Sequence, residues 1–315
     1  MSGGSPTDGS TRSATPADRV TSFTRRLSER SLSVCTGVVS ETEERWGSWR
    51  DIRIGDDLTI AYMERGAGPI LLLVPGWTMS CEVFSHQLAD LGTSYRVVAV
   101  DPRSQGRSSR TTVGNTYPQQ GRDLGRVIEA LDLHDLHLLG WSYGGLACYA
   151  YIEQFGTAHV RSFTVVDMSP RPLRPDGENG WAEGDLSFYL DEYLTPLIDQ
   201  PEVLARFFID SIVSREAASE DRRRLMRMHL STPRSAAASL LVSAMVSDYR
   251  ELAVHLSRRI PFANVVSPEW SIEARAWLSA HAPRAVVWDV QSHMGFREQS
   301  TEFNTSLTDF LMAAS

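Results

Sequence analysis

The chain has 315 residues, with 42% hydrophobic and 22% charged side chains and a formal net charge of −8. This length is enough to bury one large core together with an inserted lid. The acidic balance excludes a polyanion such as nucleic acid as the expected partner. Lysine is absent and Arg supplies all of the non-histidine basic side chains. This excludes Schiff-base chemistry on a lysine and indicates the GC-rich codon usage of a bacterial gene.

The N-terminal segment 1–45 begins with a run of Ser, Thr, Gly, Pro and Asp. Such a run has too little apolar surface to offset the entropy cost of ordering it. We expect a disordered or frayed extension in front of one domain that spans 46–315. No apolar run approaches the roughly 18 residues that cross a bilayer, and no secretory signal is visible. The three cysteines are widely spaced, which favours free thiols. We therefore expect a cytoplasmic protein without a membrane span or a bound metal.

From about residue 51, short apolar runs alternate with helical patterns. Apolar runs without polar alternation are typical of parallel strands buried on both faces. Their alternation with helices predicts right-handed crossovers and an α/β fold with a doubly wound, mostly parallel sheet. The predicted strands are 58–64, 69–75, 95–101, 136–141, 160–167, 261–267 and 284–290, and the predicted helices are 81–92, 119–132, 143–155, 272–281 and 301–313.

The alternation is interrupted between about 170 and 257. There the pattern predicts only helices, over Leu186–Leu197, Glu202–Val213, Glu220–His229 and Arg234–Leu256. Ligands of open α/β sheets bind outside the carboxyl ends of the strands. We therefore expect the insertion to form a helical lid over that edge, with plain padding of the fold as the alternative.

The motif Gly140-Trp141-Ser142-Tyr143-Gly144 lies between a predicted strand and a predicted helix. This context is typical of a nucleophile elbow, a sharp turn that holds a serine hydroxyl out of the sheet. The two glycines leave room for the strained backbone, and the N-terminus of the next helix favours negative charge. Ser142 is therefore the predicted nucleophile, and the Tyr143 N–H is a predicted oxyanion donor.

Two further segments carry a family resemblance. Pro75-Gly76-Trp77 follows the strand predicted over 69–75, and residues 101–108 read Asp-Pro-Arg-Ser-Gln-Gly-Arg-Ser. With the elbow, they resemble the serine-nucleophile branch of the α/β-hydrolase superfamily over about 50–315. The resemblance implies that the N–H of Trp77 is the second oxyanion donor and that the 101–108 loop is structural. Pro75 stands where most of the superfamily has His.

The same resemblance implies the chain order nucleophile, acid, histidine. His293 follows the last predicted strand at loop distance and precedes a terminal helix, so it is the predicted general base. The acid has two candidates. Asp167 ends the strand predicted over 160–167, and Glu269 follows the strand predicted over 261–267. We prefer Asp167 for its clean strand-end position and keep Glu269 as the alternative.

These residues predict a serine hydrolase that cleaves an ester-like bond of a hydrophobic small molecule through an acyl-enzyme. No cofactor is required. One alternative on the same fold is a cofactor-free dioxygenase that deprotonates its substrate with a His–Asp pair. A non-enzymatic ligand-binding protein is a third interpretation, against which Ser142 and His293 argue. Ser142 also argues against a haloalkane dehalogenase or an epoxide hydrolase, because both have Asp at the elbow.

Overall fold

The computed structural model describes residues 46–175 and 180–314, and within them eight strands form one sheet. The strands are β1 (Ser48–Arg53), β2 (Thr59–Arg65), β3 (Ile70–Val74), β4 (Arg96–Val100), β5 (Leu136–Trp141), β6 (Val160–Val166), β7 (Phe262–Val266) and β8 (Val286–Asp289). Their order across the sheet is β1-β2-β4-β3-β5-β6-β7-β8. The β1–β2 and β2–β4 pairs are antiparallel, and the pairs from β4–β3 to β7–β8 are parallel.

The helices cover both the crossovers and the insertion. They are a 3-10 turn (Cys81–Phe84), α1 (Ser85–Leu91), α2 (Tyr117–Ala130), α3 (Gly144–Phe155), α4 (Leu186–Phe188), a π-helical segment (Tyr189–Leu194), α5 (Thr195–Asp199), α6 (Pro201–Ile212), α7 (Ser219–Ser231), α8 (Arg234–Met245), α9 (Arg250–Leu256), α10 (Ser271–His281), α11 (Gly295–Glu298) and α12 (Ser300–Ala313). Among these helices, none combines the length and apolar composition that a membrane crossing requires.

The sheet confirms the predicted α/β fold class with its mostly parallel strands. All seven predicted strands are present within one or two residues at each end. β1 is an addition that the sequence pattern did not predict. It carries Arg50, Asp51 and Arg53 and is largely exposed, because it pairs only with β2 at the edge of the sheet. An edge strand of this kind lacks the apolar run by which buried strands are recognised.

The helical insertion, meaning the chain from about residue 170 to 257, differs from its prediction in two places. The helix predicted over Leu186–Leu197 consists of α4, the π-helical segment and α5. The helix predicted over Arg234–Leu256 is interrupted, and its two parts are α8 and α9. A residue outside these helices stabilises the break, because the Tyr249 N–H donates to the carbonyl oxygen of Pro170 at 2.8 Å. The predicted extension 1–45 lies outside the described residues.

The central strands determine where the predicted site residues lie. β5 is buried along its whole length, as is β7, and α2 packs against α3 while α1 packs against α12. Because β3, β5, β6, β7 and β8 run parallel, their carboxyl ends meet at one edge of the sheet. The loops after these strands carry all of the predicted site residues.

Candidate active site

Ser142 lies directly after β5, in the turn that leads into α3. Its backbone adopts φ of 53°, in the left-handed region that costs a non-glycine residue about 1–3 kcal/mol. The turn is held by its neighbours. The Ser142 N–H donates to the carbonyl oxygen of Val166 at 2.8 Å, and the Gly145 N–H donates to the carbonyl oxygen of Ser142 at 2.8 Å. This strained conformation is the one expected of a nucleophile elbow.

Two glycines allow the elbow to pack closely against the loop after β3. A Cβ on Gly144 would lie 2.2 Å from the carbonyl oxygen of Val74, and a Cβ on Gly76 would lie 2.8 Å from the Cβ of Ser142. Neither distance is possible for a real side chain. The Pro75-Gly76-Trp77 segment therefore lies directly beside the serine.

His293 and Asp167 form a hydrogen-bonded pair at the same edge of the sheet. Nδ1 of His293 lies 2.7 Å from Oδ2 of Asp167, and Oδ1 of Asp167 accepts the Ser267 N–H at 2.7 Å. Asp167 is 2% exposed, and these two hydrogen bonds hold its carboxylate in one orientation. An acceptor at Nδ1 favours the tautomer that carries its proton there, which leaves Nε2 as the basic nitrogen.

Trp141, the last residue of β5, contacts His293. Its indole Nε1 donates to the carbonyl oxygen of His293 at 2.8 Å, and the two rings lie 5.3 Å apart. Trp141 is buried next to Ser142 in the chain. Trp141 therefore links the turn of the predicted nucleophile to the loop that carries the predicted base.

Glu269, the alternative acid, lies in the loop after β7. It lines the same cavity as Ser142 and His293, but it is exposed to solvent. The carboxylate hydrogen-bonded to Nδ1 of His293 is that of Asp167. The structure therefore brings Asp167 and His293 together and leaves Glu269 as a wall residue.

The two predicted oxyanion donors, Trp77 and Tyr143, line the cavity with Ser142. Within residues 46–175 and 180–314, neither backbone N–H donates to a protein acceptor. Both amides are thus available to an anionic oxygen. The ring of Trp77 has a separate role, because its Nε1 donates to the carbonyl oxygen of Ala237 in α8 at 2.9 Å.

The cavity beside Ser142 has a volume of about 170 Å³. The helical insertion supplies one wall, and the loops at the sheet edge supply the other. The residues from the insertion are Glu183, Phe188, Tyr193, Phe207, Phe208, Ser211, Ile212 and Leu241, and those from the loops include Trp77, Tyr143, Met168 and Trp270. Seven of the sixteen described lining residues are Phe, Tyr or Trp, which suits an apolar substrate group.

Glu183 is a site residue that the sequence did not predict. It lies between β6 and α4 and accepts hydrogen bonds from the hydroxyls of Tyr143 and Tyr189. Its segment has neither strand nor helix periodicity, and no motif surrounds it. Only the fold places this carboxylate near the elbow. Within the described residues, no cluster of three His, Cys, Asp or Glu could hold a metal ion.

His229 of α7 connects the insertion to the Trp77 loop. Its Nδ1 lies 2.8 Å from Oγ1 of Thr78, and that hydroxyl lies 2.5 Å from the carbonyl oxygen of Trp77. The two distances fit a chain in which His229 donates to Thr78 and Thr78 donates to Trp77. Burial lowers the pKa of His229 to about 4, so the imidazole is neutral near pH 7.

Hydrogen bonds and an ion pair anchor the loop 101–108 to the surrounding protein. Oδ1 of Asp101 accepts the Cys81 N–H at 2.6 Å, and Arg103 forms a buried ion pair with Asp123. Burial raises the pKa of Asp101 to about 6. These contacts join the loop to other parts of the chain, which agrees with the structural role that the resemblance implies for it.

Comparison with known proteins places these features in a family. A family model described as the alpha/beta hydrolase fold matches residues 69–240. A bromoperoxidase structure from Bacillus anthracis superposes with a TM-score of 0.77 at 20% identity, over 84% of this chain and 100% of that one. At this identity the superposition shows the fold.

Three curated relatives differ in the activity that their names state. The chain is 29% identical over 128 residues to a non-heme chloroperoxidase from Kitasatospora aureofaciens, covering 39% of this chain and 46% of that protein. It is 26% identical over 129 residues to a 2-heptyl-3-hydroxy-4-quinolone dioxygenase from Rhodococcus erythropolis, covering 40% and 46%. It is 26% identical over 257 residues to a pimeloyl-[acyl-carrier protein] methyl ester esterase from Vibrio parahaemolyticus, covering 78% and 95%. Over its strongest matches, the chain spans about half the length of the relatives.

The buried His229 predicts a pH dependence of stability. A histidine with a folded pKa of about 4 and an ordinary unfolded value is protonated first in the unfolded state. Its contribution is therefore complete above pH 6.5 and is lost as the pH falls toward 4. We expect His229→Asn, which keeps a donor for Thr78 but cannot titrate, to remove on the order of 2 kcal/mol of the fall in unfolding free energy between pH 7 and 5.

Urea denaturation at a series of pH values measures this difference. His137 and Asp101 also have shifted pKa values, but they are present in both proteins and cancel in the comparison. Parallel pH profiles for the two proteins would contradict a neutral, buried His229.

Proposed function

The chain belongs to the α/β-hydrolase fold family, and on that premise we propose that it is a serine hydrolase acting on an ester-like bond of a small molecule. The prediction of a hydrolase-type enzyme is supported by the family and by its esterase relatives. The observation that carries the finer proposal is the 2.7 Å contact between His293 and the buried Asp167, in the cavity that Ser142 also lines.

In the proposed reaction, Oγ of Ser142 attacks the ester carbonyl carbon while Nε2 of His293 accepts the hydroxyl proton. The Trp77 and Tyr143 amides donate to the oxyanion of the tetrahedral intermediate. His293 then protonates the departing alkoxide, and an acyl-enzyme on Ser142 remains. Water then attacks the acyl carbonyl carbon while His293 accepts its proton. The bond between the acyl carbon and Oγ of Ser142 breaks, His293 returns the proton to Oγ, and the carboxylic acid leaves. Asp167 keeps the imidazole in the required tautomer and stabilises its charged form.

A second candidate is a dioxygenase that uses the His293–Asp167 pair as a base toward an organic substrate. The quinolone dioxygenase relative favours it, but that match covers 40% of this chain. The esterase relative matches 78% of this chain and 95% of its own length. We therefore prefer ester hydrolysis, and a covalent intermediate on Ser142 separates the two.

We further propose that the helical insertion acts as a lid that selects substrates. In support, Phe188, Tyr193, Phe207 and Phe208 of the insertion line the cavity. The triad and the oxyanion donors all come from loops at the sheet edge. On this division of labour, the sheet loops carry out the chemistry and the insertion sets the size of the acyl group.

The first test compares the two candidate acids. Asp167→Asn removes the acceptor that fixes the His293 tautomer, so we expect kcat to fall on the order of 10⁴-fold on a p-nitrophenyl ester. Glu269→Gln is the matched control, because it neutralises a carboxylate of the same cavity that does not bind Nδ1. Its kcat should fall by less than about tenfold. Loss of activity in Glu269→Gln with Asp167→Asn unaffected would reverse the assignment.

The second test concerns the lid. Phe207 lines the cavity and is 43% exposed, so Phe207→Ala should open space for longer acyl chains. We expect the ratio of kcat/KM for hexanoate over acetate p-nitrophenyl esters to rise on the order of tenfold. Val203→Ala is the control, since Val203 lies one turn earlier in α6 and is 54% exposed. Equal ratios in the two variants would mean that the insertion does not select the acyl group.

A further inference from the structure

Glu183 is a carboxylate of the cavity that the proposed reaction does not use. The Tyr189 hydroxyl donates to Oε2 of Glu183 at 2.6 Å, and the Tyr143 hydroxyl donates to the same oxygen. Both hydroxyls donate to Oε2, so this oxygen acts as a hydrogen-bond acceptor. The other oxygen, Oε1, is left available to a ligand. The backbone is also fixed, because the Glu183 N–H donates to the carbonyl oxygen of Pro172 at 2.8 Å.

Glu183 lies close to the groups of the proposed reaction. Tyr143 is the residue after the nucleophile, and its backbone N–H is a proposed oxyanion donor. Its hydroxyl reaches Glu183, so the carboxylate lies one side chain away from the oxyanion site. Glu183 therefore faces whatever substrate group occupies the cavity beside Ser142.

The charges of the cavity are unbalanced. Asp167 is compensated by His293 and by the Ser267 amide. Glu183 and Glu269 add two more carboxyl groups, and among the described lining residues His293 is the only base. Burial raises the pKa of Glu183 and Glu269 adds to this rise, while the two tyrosine hydroxyls and His293 lower it. A cation in the cavity would keep the carboxylate ionised.

Several of the other lining residues are aromatic. Trp77 lies with its ring centroid 5.3 Å from that of Phe208 and 6.0 Å from that of Tyr193, and Phe188 lies 5.4 Å from Tyr193. Aromatic faces beside a carboxylate attract quaternary and protonated amines through the ring quadrupole and the opposite charge. A purely apolar acyl group would instead cover Oε1 of Glu183 without giving it a partner, which costs free energy.

We propose that Glu183 and the aromatic walls bind an alkylammonium group, so that the substrates are small esters that carry a positive charge. This inference rests on the proposed hydrolase function and names its substrate class. Glu183 is then the residue that determines specificity, since it favours the cationic ester over a neutral one of the same shape.

The test uses two p-nitrophenyl esters of equal shape, those of 4-(trimethylammonio)butanoate and 5,5-dimethylhexanoate, which differ by one nitrogen in place of carbon. We expect wild-type kcat/KM to favour the cationic ester on the order of tenfold. Glu183→Gln should reduce this ratio by a similar factor. Glu202→Gln is the control, because Glu202 is 75% exposed on α6, outside the cavity lining, and its ratio should match the wild type.

A binding measurement separates this inference from the hydrolase proposal. Calorimetric titration with butyltrimethylammonium should give a Kd in Glu183→Gln on the order of tenfold above the wild-type value. If neither ester is hydrolysed but this Glu183-dependent binding is present, the hydrolase proposal fails and the cation site stands. If esters are hydrolysed with a wild-type preference for the neutral one, or with a ratio that Glu183→Gln leaves unchanged, the cation site is overturned.

Discussion

The left-handed backbone of Ser142 is the constraint on which the rest of the site depends. A serine in this conformation costs about 1–3 kcal/mol, and the surrounding structure has to hold it there. The bond from the Ser142 N–H to Val166 and the close approach of Gly144 to Val74 do so from both neighbouring strands. Asp167 has the same φ of 53°, so two strained residues at adjacent strand ends point their side chains toward one cavity.

The insertion also forms hydrogen bonds with Trp77 and Thr78 in the loop after β3. The Trp77 side chain donates to Ala237, and Thr78, with φ of 61°, contacts His229. The first contact joins the proposed oxyanion donor Trp77 itself to a helix of the insertion, and the second joins the next residue, Thr78. A displacement of α7 or α8 would therefore alter the Trp77 amide. These two hydrogen bonds would therefore couple the proposed substrate selection to the proposed stabilisation of the oxyanion.

Much of this arrangement could be predicted because it depends on local pattern and chain order. The buried strands have apolar runs, Ser142 has its glycines, and His293 follows the last strand. The choice of acid could not be decided locally, since Asp167 and Glu269 both follow neighbouring strands. The structure brings Asp167 to His293 and leaves Glu269 exposed, a difference that only the tertiary structure shows. Glu183 has no local signal, because its partners Tyr143 and Tyr189 are distant in sequence or outside any motif.

The central claim is that Ser142 forms a covalent intermediate. The most direct measurement is labelling with a fluorophosphonate, with the modified peptide located by mass spectrometry and ester turnover followed in parallel. We expect one phosphonyl group on Ser142, loss of ester turnover in proportion to labelling, and neither labelling nor turnover in Ser142→Ala. Full ester turnover in Ser142→Ala would contradict the account, and oxygen consumption with an aromatic hydroxy-ketone that labelling leaves unchanged would favour the dioxygenase.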